Sequence, residues 1–221
     1  MKFKEGYYWL LLLIPLAFFG WYLISKKENK PLRSLPYFGE KNQVNTGETS
    51  YHTIQPFLFI NQYGEEVSER TVKGKIYVTD FFFTTCQSIC PIMSTALERV
   101  YNQFKDRDDV MILSHTVAPE EDSVQILKAY ASLHGVNDKR WLFLTGDKKH
   151  LYQMARKSYL LNTEEGKGDA DDFIHTQNFA LVDKDLHLRG FYDGTDSLEV
   201  NRLLIDIQLL LDEYAYKEKN K

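Results

Sequence analysis

Residues 75–91 read KIYVTDFFFTTCQSICP, a buried strand that runs through a polar turn into the start of a helix. Lys75 to Phe83 is β-branched and aromatic and apolar nearly throughout, as suits a central strand covered on both faces. Thr84 and Thr85 open the turn. From Pro91 to Phe104 the apolar residues Ile92, Met93, Leu97, Val100, Tyr101 and Phe104 recur at helical spacing. Proline is tolerated at the head of that helix because the first N–H groups have no partner to lose. Cys90 therefore falls at or beside the helix N-cap, where unsatisfied N–H groups and the positive dipole end are expected to stabilise a thiolate. Cys86 precedes it by one turn. If that turn is helical, the two Cβ atoms lie about 5–6 Å apart, against about 3.5–4.5 Å in a relaxed disulfide, so both sulfurs can face one soft metal ion.

The chain has only these two cysteines, so no disulfide framework holds the fold together. An i, i+4 pair can be a redox dithiol, two small buried hydrophobes, or half of a zinc site. Their place at a strand-to-helix junction favours function, because α/β folds build their sites there.

Downstream, strand and helix alternate. Val110 to Ser114 reads as a strand, Ser123 to Leu133 as a helix begun by Asp122 as cap, Trp141 to Leu144 as a strand and Lys148 to Tyr159 as a helix. Asn178 to Val182 and Leu186 to Tyr192 follow as strands, and a last helix runs from Ser197 to about Tyr214. Upstream, Phe57 to Ile60 and Glu65 to Val67 read as two short strands joined by a turn at Gly64. The expected class is α/β, a mixed central sheet flanked by helices.

Ahead of this body, Tyr7 to Ile24 gives eighteen uncharged positions, YYWLLLLIPLAFFGWYLI, with Tyr7, Tyr8 and Trp9 at one end and Trp21 and Tyr22 at the other. That is about 27 Å of helix with aromatic belts, a single transmembrane helix in expectation. No A-x-A-like cleavage site follows it, and a buried core helix would show a polar face. The organisation expected is a short tail (residues 1–6), an anchor (7–24), a polar tether with Pro31, Pro36, Gly39 and Gly47 (25–50), one domain (51–216) and a tail (217–221). With 26% charged residues and a net charge of −4, nothing favours a nucleic-acid partner.

DFFFTTCQSICP (80–91) resembles the CxxxCP site of the SCO/SenC family of thioredoxin-fold copper chaperones for cytochrome c oxidase assembly. The likeness continues through SHTVAPEEDS (114–123), WLFLTGDKKHLYQMA (141–155) and FIHTQNFALVDKDLHLRGFYD (173–193), so that it spans roughly residues 52–212. Where the family has Asp-Pro this chain has Ala118-Pro119, a departure at a position that is not a ligand. The resemblance implies a thioredoxin-like fold, copper as the bound metal, and Cys86, Cys90 and His175 as its ligands. Asp80 is then the acid that follows the central strand into the site. Two thiolates and an imidazole suit Cu(I) and can also hold Cu(II), whereas a closed zinc site needs a fourth protein ligand. Asp171 and Asp172 could accept from the ring of His175. For His52, His115, His134, His150 and His187 a surface or core role is the better expectation.

The implied partners are the copper-bearing subunit of a respiratory cytochrome c oxidase, the membrane through residues 7–24, and other copper chaperones. The implied location is the inner (cytoplasmic) membrane, single-pass, with the soluble domain on the extracytoplasmic, periplasmic side. The charge count opposes this, since Lys26, Lys27, Lys30 and Arg33 outnumber Lys2 and Lys4. Two rivals share the fold. A thiol–disulfide oxidoreductase would attack through Cys86 and resolve through Cys90, but the general type presents a proline before a late strand, and none follows Pro119. A narrower redox role on the oxidase's own cysteines stays compatible. A thiol peroxidase would need an arginine near the reactive cysteine, and no motif places one.

Overall fold

The computed structural model describes residues 34–43, 49–161, 174 and 176–220. The expected anchor at 7–24, together with Asp171, Asp172 and His175, lies outside them. Among the described residues no helix is long and apolar enough to cross a membrane.

The elements are β1 (Lys41–Gln43), β2 (Thr49–Tyr51), β3 (Leu58–Asn61), β4 (Glu66–Ser68), α1 (Glu69–Val72), β5 (Ile76–Phe82) and α2 (Cys90–Gln103). They continue with β6 (Val110–Thr116), α3 (Val124–Leu133), β7 (Trp141–Thr145), α4 (Lys148–Gln153), β8 (Asn178–Val182), β9 (Leu188–Asp193) and α5 (Ser197–Lys219). A π-helical turn, Met154–Ser158, prolongs α4.

Seven strands form one mixed sheet in the order β4-β3-β7-β6-β5-β8-β9. β5, β6 and β7 are parallel, because α2 and α3 carry the chain back between them, whereas β3 and β8 run antiparallel to this core. Every residue of β5 is buried. Its alternation sends Ile76, Val78 and Phe82 into a core built with α2, α3 and α5, and Tyr77 and Phe81 into a second core built with α4 and its π-turn. A strand covered on both faces can afford few polar side chains, which is why the run reads as continuously apolar.

Several boundaries differ from the sequence expectation. The compact unit begins at Ser34, within the stretch read as tether. Arg189 is the reason: its guanidinium is buried and bonds Asp183 at 2.7 Å, the Leu35 carbonyl at 2.8 Å, Glu213 at 3.1 Å and the Pro36 carbonyl at 3.2 Å. A buried cation needs all its donors met, so the strand of chain at 34–36 is held on the body. β1 and β2 pair as a hairpin whose polar residues give no alternating signal. Ser123, not Asp122, caps α3 through its side chain. α5 runs to Lys219, through part of the stretch read as a tail.

Candidate functional site

β5 ends at Phe82, and the chain turns through residues 83–89 before α2 starts at Cys90, with Ile89 as N-cap and Pro91 next. The turn is irregular rather than helical, so Cys86 does not stand one helical turn below Cys90. The N–H of Cys86 bonds the Phe83 carbonyl at 3.2 Å. Both thiols are free. Cys86 is partly exposed, whereas Cys90 is 4% exposed and packs in the same core as Phe82, Met93 and Leu97.

The two thiols are electrostatically unequal. For Cys86, burial raises the pKa, but hydrogen bonds from the Cys90 thiol, the Cys90 backbone N–H and Ser88 prevail and lower it to about 7. For Cys90, burial, the bond it gives to Cys86 and the charges of Cys86 and Asp80 push the pKa up to about 12. The expectation that the helix N-terminus makes the Cys90 thiolate more populated than that of a free cysteine is therefore corrected. Cys90 sits inside the first helical turn, facing the core, and desolvation outweighs the dipole. Cys86, at the solvent edge, collects the donors instead.

Asp80 lies on the Cys90 side of β5, 2% exposed, accepting from Ser114 Oγ at 2.5 Å. Ser114 in turn accepts from Trp141 Nε1 at 2.9 Å. Burial raises the Asp80 carboxyl to about 7, against the lowering effect of Ser114 and a backbone donor. Its charge acts on Cys90 from beneath.

The thiols open into a cleft of about 90 Å³ whose walls include Phe83, Val117, Ile174 and Thr176. Ile174 and Thr176, remote in sequence and flanking position 175, are carried by the fold to the walls of the dithiol cleft. His175, Asp171 and Asp172 themselves are outside the described residues. No arginine is among the described residues that line the cleft.

The other histidines are engaged elsewhere. His52 Nε2 meets the Ser158 carbonyl at 2.7 Å, and His134 pairs with Glu98 at 2.7 Å. His150 packs against Phe59 at 4.9 Å. His115 is buried against Phe81, with Nδ1 3.1 Å from Thr79 Oγ1, and burial drives its pKa down to about 3. His187 stands with Asp183 and Asp185 in a group compact enough to hold a cation. Asp183 is already committed to Arg189 and Asp185 to the Tyr214 hydroxyl at 2.8 Å.

The SCO1/SenC family model matches residues 45–209. The Bacillus subtilis protein named SCO1 protein homolog is 31% identical over 159 residues, 71% of this chain and 82% of its own length. Among solved structures, B. subtilis Sco aligns with a TM-score of 0.61 at 31% identity, over 71% of this chain and 92% of that one. It is described as a member of the Sco family of cytochrome c oxidase assembly proteins with a disulfide switch. Bradyrhizobium japonicum ScoI, solved with copper bound, aligns with a TM-score of 0.57 at 25% identity, over 72% and 99%.

Proposed function

Because this chain belongs to the SCO1/SenC family, we propose that it carries one copper ion as cargo for a respiratory cytochrome c oxidase, held by Cys86, Cys90 and His175. The observation that carries the reading is the cleft in which two free thiols face the residues on either side of position 175. Two thiolates lining one cleft form a soft donor pair suited to Cu(I), and the imidazole of His175 would supply the harder donor that Cu(II) needs. Cys86 requires little driving force to ionise, since its thiol is held at about 7. Cys90 gives up its proton to water only when a metal ion takes its sulfur, so copper binding releases protons and strengthens with pH. The recipient is the copper-bearing subunit at its CuA site.

The test compares His175→Ala with His187→Ala in copper titrations of the full chain in detergent, with circular dichroism to establish folding. Loss of Cu(II) affinity only in the first supports the ligand set. Equal affinity in both removes His175 from it.

A reductant of the oxidase's copper-site cysteines is a second reading, favoured by the inequality of the thiols. A partly exposed thiol at about 7 is poised to attack a disulfide, and a buried neighbour at about 12 to resolve the mixed disulfide afterwards.

Residues 7–24 serve as a membrane anchor in this proposal, with the body on the extracytoplasmic side where oxidase copper is inserted. An alkaline phosphatase fused after residue 221 should be active. An inactive fusion paired with a fluorescent cytoplasmic reporter at the same point would reverse the topology.

A further inference from the structure

We propose that Asp122 is a positioning residue for the dithiol: its buried carboxylate clamps Thr84, and with it the turn that carries Cys86, to the end of β6. The copper reading enters only in what the turn presents; the clamp stands on hydrogen bonds. Asp122 is 1% exposed. It accepts the Thr84 N–H at 3.3 Å, the Thr84 hydroxyl at 2.5 Å and the Thr116 hydroxyl. Among the described residues no cation pairs with it. A buried carboxylate without a counter-ion is tolerated only while its oxygens are met by donors, so the turn cannot leave Asp122 without stranding a charge.

The support behind the carboxylate is equally specific. The Thr116 hydroxyl accepts the Ala118 N–H at 3.0 Å, and the Asp122 N–H bonds the Ala118 carbonyl at 2.9 Å. The segment after β6 is thereby folded back so that Asp122 points under the turn after β5. A second seam, Val117 N–H to the Phe82 carbonyl at 2.8 Å, stops one residue short of Phe83, whose carbonyl receives the Cys86 N–H. Thr84 stands between those two attachments. Its tether to Asp122 keeps the turn folded over Cys90 and sets where the Cys86 sulfur lies.

The experiment uses the reduced, copper-free full chain in detergent, in a Cys86→Ser background, and follows iodoacetamide trapping of Cys90. Thr84→Val and Asp122→Asn should each speed trapping about tenfold or more, the order expected for losing a bond to a buried charge. Thr84→Ser, which keeps the hydroxyl, should stay within about twofold of the parent. Leu203→Ala, in the core under α5, should do the same although it lowers the thermal midpoint. Parental rates in the Thr84→Val and Asp122→Asn proteins would overturn the clamp. So would equal acceleration by Leu203→Ala, or failure of Thr84→Ser to rescue.

A copper arm separates this from the metal reading. With Cys86 restored, Cu(II) should give a thiolate charge-transfer band, and a chelator should strip copper about tenfold faster from Thr84→Val. A wild-type chain without any such band would sink the copper proposal and leave the trapping result to decide the clamp alone.

Discussion

The copper-free, reduced protein should label at Cys86 with a midpoint near pH 7 and leave Cys90 unlabelled until well above pH 10. The perturbation is pH alone, and the magnitude follows from the two environments. Cys86 is brought to about 7 because donors from Cys90 and Ser88 prevail over its partial burial, whereas Cys90, facing the core, is pushed to about 12. A free cysteine near 8.5 is ~3% thiolate at pH 7, so a thiol at about 7 holds roughly fifteenfold more of the reactive form. Nucleophilicity falls with pKa at a slope of about 0.4–0.5, which takes back roughly a factor of five over that interval. The net gain at pH 7 is about threefold, and above about pH 8 Cys86 should react more slowly than a free thiol. The assay is a timed iodoacetamide pulse across pH 5 to 11. Tandem mass spectrometry separates the sites, which share one tryptic peptide because no lysine or arginine stands between Ile76 and Arg99. Labelling of Cys90 first, or a Cys86 midpoint at or above that of a free cysteine, would refute the assignment of roles.

Asp80 should make the copper-free protein less stable as pH rises. Its folded pKa of about 7 exceeds the unfolded value, so the native state holds the extra proton and stability declines from about pH 4 to pH 7. The loss is bounded by ~4 kcal/mol, and Asp80→Asn should flatten the profile in urea titrations; an unchanged slope would mean that Asp80 is ionised throughout. Arg189→Met should cost about 3–5 kcal/mol by leaving Asp183 buried without its partner, and adding Asp183→Asn should recover part of this. If the double variant is no better than the single, the penalty lies in the lost anchorage of residues 34–36 rather than in the stranded charge.

β5 and α2 were legible because their signals are local: a run apolar on both faces, then apolar positions at helical spacing behind Pro91. The same holds for β6 to α4 and for β8 to α5, and the dithiol could be read as a site from its place at the junction. Family resemblance added His175, which no spacing rule reaches from Cys90; the structure brings its neighbours Ile174 and Thr176 to the cleft. What local pattern could not carry was burial. The dipole argument for Cys90 treated the helix end as if it met water, and the first turn faces Phe82 and Met93 instead. Asp122 looked like a cap because it precedes a helix; its carboxylate serves Thr84, and Ser123 takes the cap. The polar stretch from Ser34 looked like tether because its anchor, Arg189, lies on β9 and declares nothing about Leu35 or Pro36 until the two are adjacent. Periodicity reports which face of an element is apolar, a property of neighbours in the chain. Which thiol loses its water, and which carboxylate loses its counter-ion, depends on residues that only folding brings within a few ångströms.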